Sequence, residues 1–281
     1  EYDLIEKLKI VDKKKKFTDE ILWRIYWRGY LESHRSIWTK YKNFKALKYD
    51  SSVLKAAVNG KTGINCFDSW IDELKHNNYL HNHSRMWFAS IWIFTLNLPW
   101  QLGAITFMQH LFDGDSASNT LSWRWVAGMH TNNKPYIASK ENIQKYTLNK
   151  FKNINFTISS NDYISNDYHL KSNEIPTIIN KTKSKILIMF ENDMNISNRS
   201  ILFNSYMKVY ILLNTVIENE FKLSKNVSLY KNNLIENIQE LIPNSEIIKP
   251  DDLNTLLDNY EIVDVIYPGI GNNLDFINEY K

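Results

Sequence analysis

The chain has 281 residues, 43% hydrophobic and 14% aromatic, enough for two domains and a substantial buried core. A formal net charge of +3 does not by itself mark a nucleic-acid binder, because such proteins concentrate a basic face. One cysteine, Cys66, excludes an intramolecular disulfide and any iron–sulfur cluster held by several thiolates of this chain.

No signal peptide is visible and no apolar run reaches the length of a membrane helix, so a reducing cytoplasm and no membrane attachment are expected. The sequence opens without methionine, as though inside a longer protein, and an upstream segment is expected. All nine tryptophans lie between Trp23 and Trp125, which points to two segments with different jobs.

Lys13-Lys14-Lys15-Lys16 reads as a solvated helix edge or loop rather than a DNA contact. From residue 17 to about 130 the pattern is mainly helical. Thr18 is the expected N-cap of a helix over Asp19 to Tyr41. Gly60-Lys61-Thr62-Gly63 punctuates the chain before an amphipathic helix from about Asn65 to Lys75. A buried helix is predicted over about His83 to Leu96, ended by Leu98-Pro99, and another from Trp100 to Phe112. Asp113-Gly114-Asp115 makes the turn after it.

Residues 151–184, rich in Asn, Ser, Thr and Lys, read as a linker between a helical domain (1–150) and a small α/β domain (185–281). In the latter, strands are expected at 185–190, 209–213, 246–248 and 262–267, with helices at 226–241 and 251–257. Apolar strands alternating with helices indicate a parallel, Rossmann-like sheet. Pro268-Gly269-Ile270-Gly271 follows the last strand, where open parallel sheets place ligands, but a plain turn is the preferred reading.

Chemistry concentrates between Leu80 and Trp125. Asn82 and Arg85 are one helical turn apart and could face one ligand. Asp113 and Asp115 stand at a helix end, where carboxylates oppose the dipole unless paired, and Arg85 is the obvious partner of Asp113. A buried ion pair joining two helices is the structural alternative. Asp113-x-Asp115 and His81-x-His83 complete no recognised metal-site spacing, so no metal is expected.

The ordered set Asn82, Arg85, Met86, Trp100, Asp113, Asp115, Asn119, Trp123 and Trp125 resembles the flavin-binding core of the DNA photolyase and cryptochrome family, over about residues 17 to 140. The resemblance implies a helical FAD-binding domain. Asn82 would line the flavin pocket, Arg85 with Asp113 would form a salt bridge beside the flavin, and Asp115 would meet the pyrimidine edge of its ring. Asn119 would face flavin N5, where a neutral amide suits a reduced anion. Trp123 and Trp100 would be the inner and middle members of an electron-hopping chain. Its outer member should lie a little before Gly60, where Lys45–Asp50 has no tryptophan; Tyr49, Trp38 or another surface aromatic is the expected substitute.

Upstream, Glu20-Ile21-Leu22-Trp23-Arg24 resembles the family's Glu-x-x-Trp-Arg helix. Arg24 would then belong to the cofactor site. Glu20 would bond a flipped pyrimidine dimer, with Trp23 and Trp125 as pocket walls and Met86 lining it. Asn82 and Met86, rather than histidines, favour the cyclobutane dimer as substrate. The implied protein is a light-driven lyase, a monomer acting on DNA that contains pyrimidine dimers; the alternative is a cryptochrome-like blue-light sensor without repair. The Ser/Thr-rich loop that grips the flavin phosphates is not in this chain. Pro135–Lys140 stands where the family has an arginine-containing segment, leaving Lys140 as the nearby cation. Ile188-Met189-Phe190-Glu191-Asn192-Asp193-Met194 resembles the opening strand of an antenna domain, whose chromophore the sequence does not specify.

Overall fold

Helical spacing of apolar residues in the first half and short apolar strands alternating with helices in the second separate two architectures in this chain, and a computed structural model shows both. It describes residues 2–9, 16–44, 48–131, 134–160, 164, 172, 182, 184–196, 199–215 and 221–280. Two compact units divide between Asn173 and Glu174, inside the segment expected as a linker. Among the described residues no helix is long and apolar enough to cross a membrane.

The first unit contains α1 (Tyr2–Leu8), α2 (Lys16–Ser33), α3 (Ser36–Lys42), α4 (Ser51–Val58), α5 (Asn65–Asn77), α6 (Asn82–Phe94), α7 (Trp100–His110), α8 (Ser116–Val126) and α9 (Lys140–Tyr146). The single helix expected over Asp19–Tyr41 is therefore two helices. Thr18 lies inside α2, not at its cap, and the chain bends at His34–Arg35. Ser33 Oγ helps end α2 by donating to the carbonyls of Gly29 and Tyr30, a local competition that small hydroxyl residues offer the helix backbone. Of the lysine run only Lys16 is described; Lys13–Lys15 lie outside the described residues.

Helices α6 and α7 are buried on nearly all sides, as their continuous apolar sequence requires. Phe88, Trp92, Phe107 and Trp123 form the centre of this unit. Phe151, Ile154 and Phe156 are also buried, and Ser159 donates its backbone N–H to the carbonyl of Phe94.

The second unit holds β1 (Ile186–Phe190), α10 (Ser200–Asn204), β2 (Lys208–Leu212), α11 (Lys225–Leu241), β3 (Ser245–Ile248), α12 (Leu253–Leu257), β4 (Asp264–Val265) and α13 (Asn272–Asn278). The sheet order is β3-β2-β1-β4 and every pair is parallel. Leu187 and Met189 join Val209, Ile211 and Ile235 on one face; Ile186, Ile188 and Phe190 join Leu253 and Ile277 on the other. Burial on both faces explains why the strand sequences are unbroken apolar runs. The last strand is shorter than expected: only Asp264–Val265 pair with β1, although Ile266 N–H still reaches the carbonyl of Ile188.

Candidate functional site

The site starts at the turn between α7 and α8. Asp115 is extended and caps α8, its Oδ1 accepting the N–H of Ser118 at 2.9 Å. Its carboxylate therefore stands at the positive end of a helix, not the unfavourable end that the sequence suggests. Helix α2 aims two cations at it. Arg28 donates from Nε at 3.0 Å and Nη2 at 2.8 Å to Asp115 Oδ2, and Arg24 Nη2 is 3.5 Å from the same oxygen. Burial alone would raise the Asp115 carboxyl, but the Arg24 and Arg28 charges and the Ser118 N–H outweigh it and hold the group below the ordinary carboxylate value.

Arg85, on α6, donates Nε–H to the carbonyl of Leu80 at 2.8 Å and Nη2 to both oxygens of Asp113 at 2.9 and 3.1 Å. The expected pair is present, yet the Asp113 side chain is 52% exposed, so this is not the buried ion pair of the structural alternative. Arg24 Nη1 lies 3.4 Å from the Asp113 carbonyl and so spans the turn. At the head of α6 His81 is the cap, its Nδ1 accepting from the His83 N–H. Asn82, the first residue of that helix, donates to Glu20 Oε1 at 3.3 Å, joining two residues 62 positions apart.

Trp23 is half exposed and stacks on Trp27. Half-buried Trp125 stacks on Tyr136 with rings 5.6 Å apart. The two are not stacked on one another; Met86 is half-buried on α6, one residue beyond Arg85. Asn119 donates its amide to the carbonyl of Ala104 at 2.8 Å, which fixes the orientation of its carboxamide. Trp123 packs edge-on against Phe107 and Trp92. It lies so close to Gly103 that a Cβ there would sit 2.2 Å from its ring. Trp100 stacks on Tyr41, centroids 5.3 Å apart and planes 17° apart. Lys140 opens α9 and places its ammonium 5.7 Å from the Phe156 ring centre.

Sequence reasoning missed Arg28, although its spacing of four from Arg24 puts both on one helix face. It also missed His130, which meets Trp27 and Tyr30 edge-on and lies 3.3 Å from the Tyr26 hydroxyl. Burial, then the Arg124 and His34 charges, push His130 below the usual histidine range. Nothing local in the sequence marks this contact, because His130 comes from beyond α8.

Ser118 Oγ, Thr120 Oγ1 and Gln101 Oε1 are buried without a partner among the described residues. The guanidinium donors of Arg24, Arg28 and Arg85 and the carboxylates of Asp113 and Asp115 gather at the turn between α7 and α8 and suit a heterocycle whose edge carries both an N–H and carbonyl oxygens, as isoalloxazine does. No group of three or more metal-ligating side chains occurs among the described residues.

Residues 17–158 match the family model for the FAD binding domain of DNA photolyase. A deoxyribodipyrimidine photo-lyase of Streptomyces griseus is 33% identical over 121 residues, 42% of this chain and 27% of the relative. The enzyme of that name from Buchnera aphidicola is 31% identical over 139 residues, 48% and 28% of the two chains. That from Escherichia coli is 33% identical over 126 residues, 43% and 26%. The chain thus spans about a quarter of the length of these curated relatives. With half its length matched and a donor set suited to the flavin ring, the chain belongs to the DNA photolyase family, and FAD is its cofactor.

Proposed function

We propose that this chain carries out light-driven repair of cyclobutane pyrimidine dimers in DNA, as a cytoplasmic monomer. One observation carries the reading: α2 serves both sides of the chemistry. Its first turns present Glu20 and exposed Trp23, while Arg24 and Arg28, one and two turns on, reach the buried end of Asp115. An extruded lesion needs an aromatic wall and a charge-assisted contact, and these lie on the helix that also braces the cofactor side. The names of the relatives support the same reaction class.

The residues that would hold the flavin are Asn82, Arg85, Asp113, Asp115 and Asn119, with Arg24 behind them. Bound FAD supplies the light-driven electron; the protein positions and tunes. Asp115, kept ionised by Arg24, Arg28 and the Ser118 N–H, would accept an N–H from the ring edge. Asn119, held by Ala104, presents its carboxamide oxygen in a fixed direction. Glu20 bonds the dimer and steadies the charge that develops on it, Trp23 and Trp125 flank it, and Met86 lines the pocket. The cyclobutane ring opens and the electron returns, so repair consumes no reductant. Trp123 and Trp100 would pass electrons toward the cofactor site when the flavin has been oxidised, each being refilled in turn by a soluble one-electron reductant.

The test is illumination of the FAD-loaded protein with a dimer-containing oligonucleotide. Loss of dimers in light, absent in the dark and reduced in Glu20→Ala, is expected. Bound flavin with no dimer loss would sink repair and put the light-sensor reading in its place.

A further inference from the structure

Helix α9 ends in a turn whose backbone conflicts with its sequence. Leu148 and Asn149 both stand in the left-handed region, at φ 51° and 59°. Asparagine tolerates that conformation, but a leucine there is strained, because its Cβ crowds the following carbonyl. The turn is pinned all the same. Thr147 N–H reaches the carbonyl of Ile143, Asn149 N–H that of Gln144, and the Gln144 side chain donates to the carbonyl of Lys152. What it holds out is Leu148, 90% exposed, with Tyr146 54% exposed beside it. No other large apolar side chain among the described residues is as exposed as Leu148.

Two further observations say what meets this tip. From Asn142 to Asn161 the sequence carries Lys145, Lys150 and Lys152 and no acidic residue, and all three lysines are exposed. A polyanion is the complement of such a stretch. Tyr146 also meets the exposed ring of His83 on α6, centroids 5.1 Å apart. His83 follows Asn82, whose amide donates to Glu20. Through neighbouring residues of α6, the turn therefore adjoins the carboxylate assigned to the flipped dimer.

We propose that this turn grips the DNA strand beside the dimer. Tyr146, backed by His83, and Leu148 meet the bases next to the lesion, and the lysines meet their phosphates. The proposal rests on the repair reading above, and it gives these residues a part in affinity and none in the photochemistry. Extruding a dimer leaves the adjacent bases without a stacking partner, and an aromatic ring or an apolar wedge replaces what they lose. A tip already fixed by hydrogen bonds does so at a small ordering cost, which gives the strained leucine its use.

Light-driven repair by the FAD-loaded protein tests this on two substrates: a single-stranded oligonucleotide with one central dimer, and the bare dimer dinucleotide, which has no flank. Tyr146→Ala and Leu148→Gly should each lower kcat/KM on the oligonucleotide about tenfold, through KM with kcat unchanged, and leave the dinucleotide rate as it was. Leu148→Gly relieves the left-handed backbone, so its unfolding midpoint should hold or rise and a folding defect cannot produce the loss. Lys145→Ala should lower the slope of log affinity against log salt by about 0.7 for the single strand. Full kcat/KM on the oligonucleotide in either Tyr146→Ala or Leu148→Gly overturns the grip, as does an equal loss on both substrates. Repair of neither substrate by the loaded, unsubstituted protein overturns the repair reading beneath it.

Discussion

In the α/β unit, the buried polar groups at the sheet edges mostly answer one another, with Asn244 Oδ1 the exception among the described residues; in the helical unit, several are left over. At the carboxyl end of β1, Glu191 is buried and accepts from Lys231 on α11 and from Asn273 on α13. Asn192 closes the neighbouring crevice by donating to the carbonyl of Pro268. Asp264 takes the Tyr206 and Thr182 hydroxyls, and burial with that neighbouring carboxylate pushes the Tyr206 phenol up to about 12. That second cluster lies at the amino end of the sheet, Asp264 pairing with Leu187; an open parallel sheet usually binds its ligand at the carboxyl end, where Glu191 and Asn192 stand and strand order reverses between β1 and β4. Here the protein's own side chains fill the place. The helical unit instead keeps unbonded Ser118, Thr120, Trp100 and Trp123 atoms among its buried side chains. Polar groups that are completed internally stabilise; those left incomplete mark where a ligand or an electron enters.

The largest effect should come from breaking the completed set. Lys231→Met leaves the Glu191 carboxylate buried with only the amide of Asn273, and should destabilise the α/β unit by about 3 kcal/mol. The low end of the range applies because the Lys231 side chain retains 15% exposure. Denaturant unfolding should show the loss, while the absorption spectrum of FAD bound to the helical unit stays as it was. A flavin spectrum that shifted with Lys231→Met would break the contrast between the units. The double variant with Glu191→Met should recover much of the stability, since no buried charge is then stranded.

Next comes Gly103→Ala. Its Cβ has no room beside the Trp123 ring, so the ring or α7 must move, at about 2 kcal/mol for the overpacked centre. Because the displaced ring is also the inner electron donor of the proposed chain, light-driven cofactor reduction should fall with stability. Thermal unfolding and flash yield measured on one sample separate the two. A stable variant with full yield would show that the close approach is not needed.

Asp115 offers a smaller effect and a pH signature. Its folded value lies below the ordinary 3.8, so the stability it adds is present above that value and is lost as pH falls through the lower folded one. Asp115→Asn keeps a competent cap but gives up the charge-assisted bonds from Arg28, at about 1.5 kcal/mol. Unfolding curves from pH 6 downward should show an acid-sensitive component below about pH 4 in the unsubstituted chain. Its persistence in Asp115→Asn would assign that component to another carboxylate.

How much of this was open to sequence reasoning depends on the range of the interaction. Within one element, spacing was enough: the Asn65–Asn77 and Lys225–Leu241 helices and the unbroken apolar run of Ile186–Phe190 follow from neighbours along the chain. Arg85 with Asp113 was also legible, because two opposite charges flank consecutive helices. The break in the first long helix was not, since apolar spacing continues through His34–Arg35 and only a local hydroxyl marks the end. Asp115 was placed at the wrong end of a helix because the turn's length, not its composition, decides which helix it caps. Arg28 and His130 stayed hidden because their partners come from distant segments. Glu20 and Asn82 were each singled out only through resemblance, and the bond between them was not anticipated, since it spans 62 residues with no periodicity to announce it.

Asp113 gives the smallest stability effect and the finest division between the two kinds of polar group. It is half exposed, and Arg85 also has the Leu80 carbonyl, so water can replace most of what Asp113→Asn removes. Its cost in unfolding free energy should stay within about 1 kcal/mol. FAD retention should fall all the same, because Arg85 would lose the carboxylate that fixes its guanidinium beside the proposed flavin site. Dialysis of the loaded variant with absorbance monitoring reads that directly. A loss of stability larger than the loss of FAD would place Asp113 among the groups that complete the fold, with Glu191, and not among those that wait for a ligand.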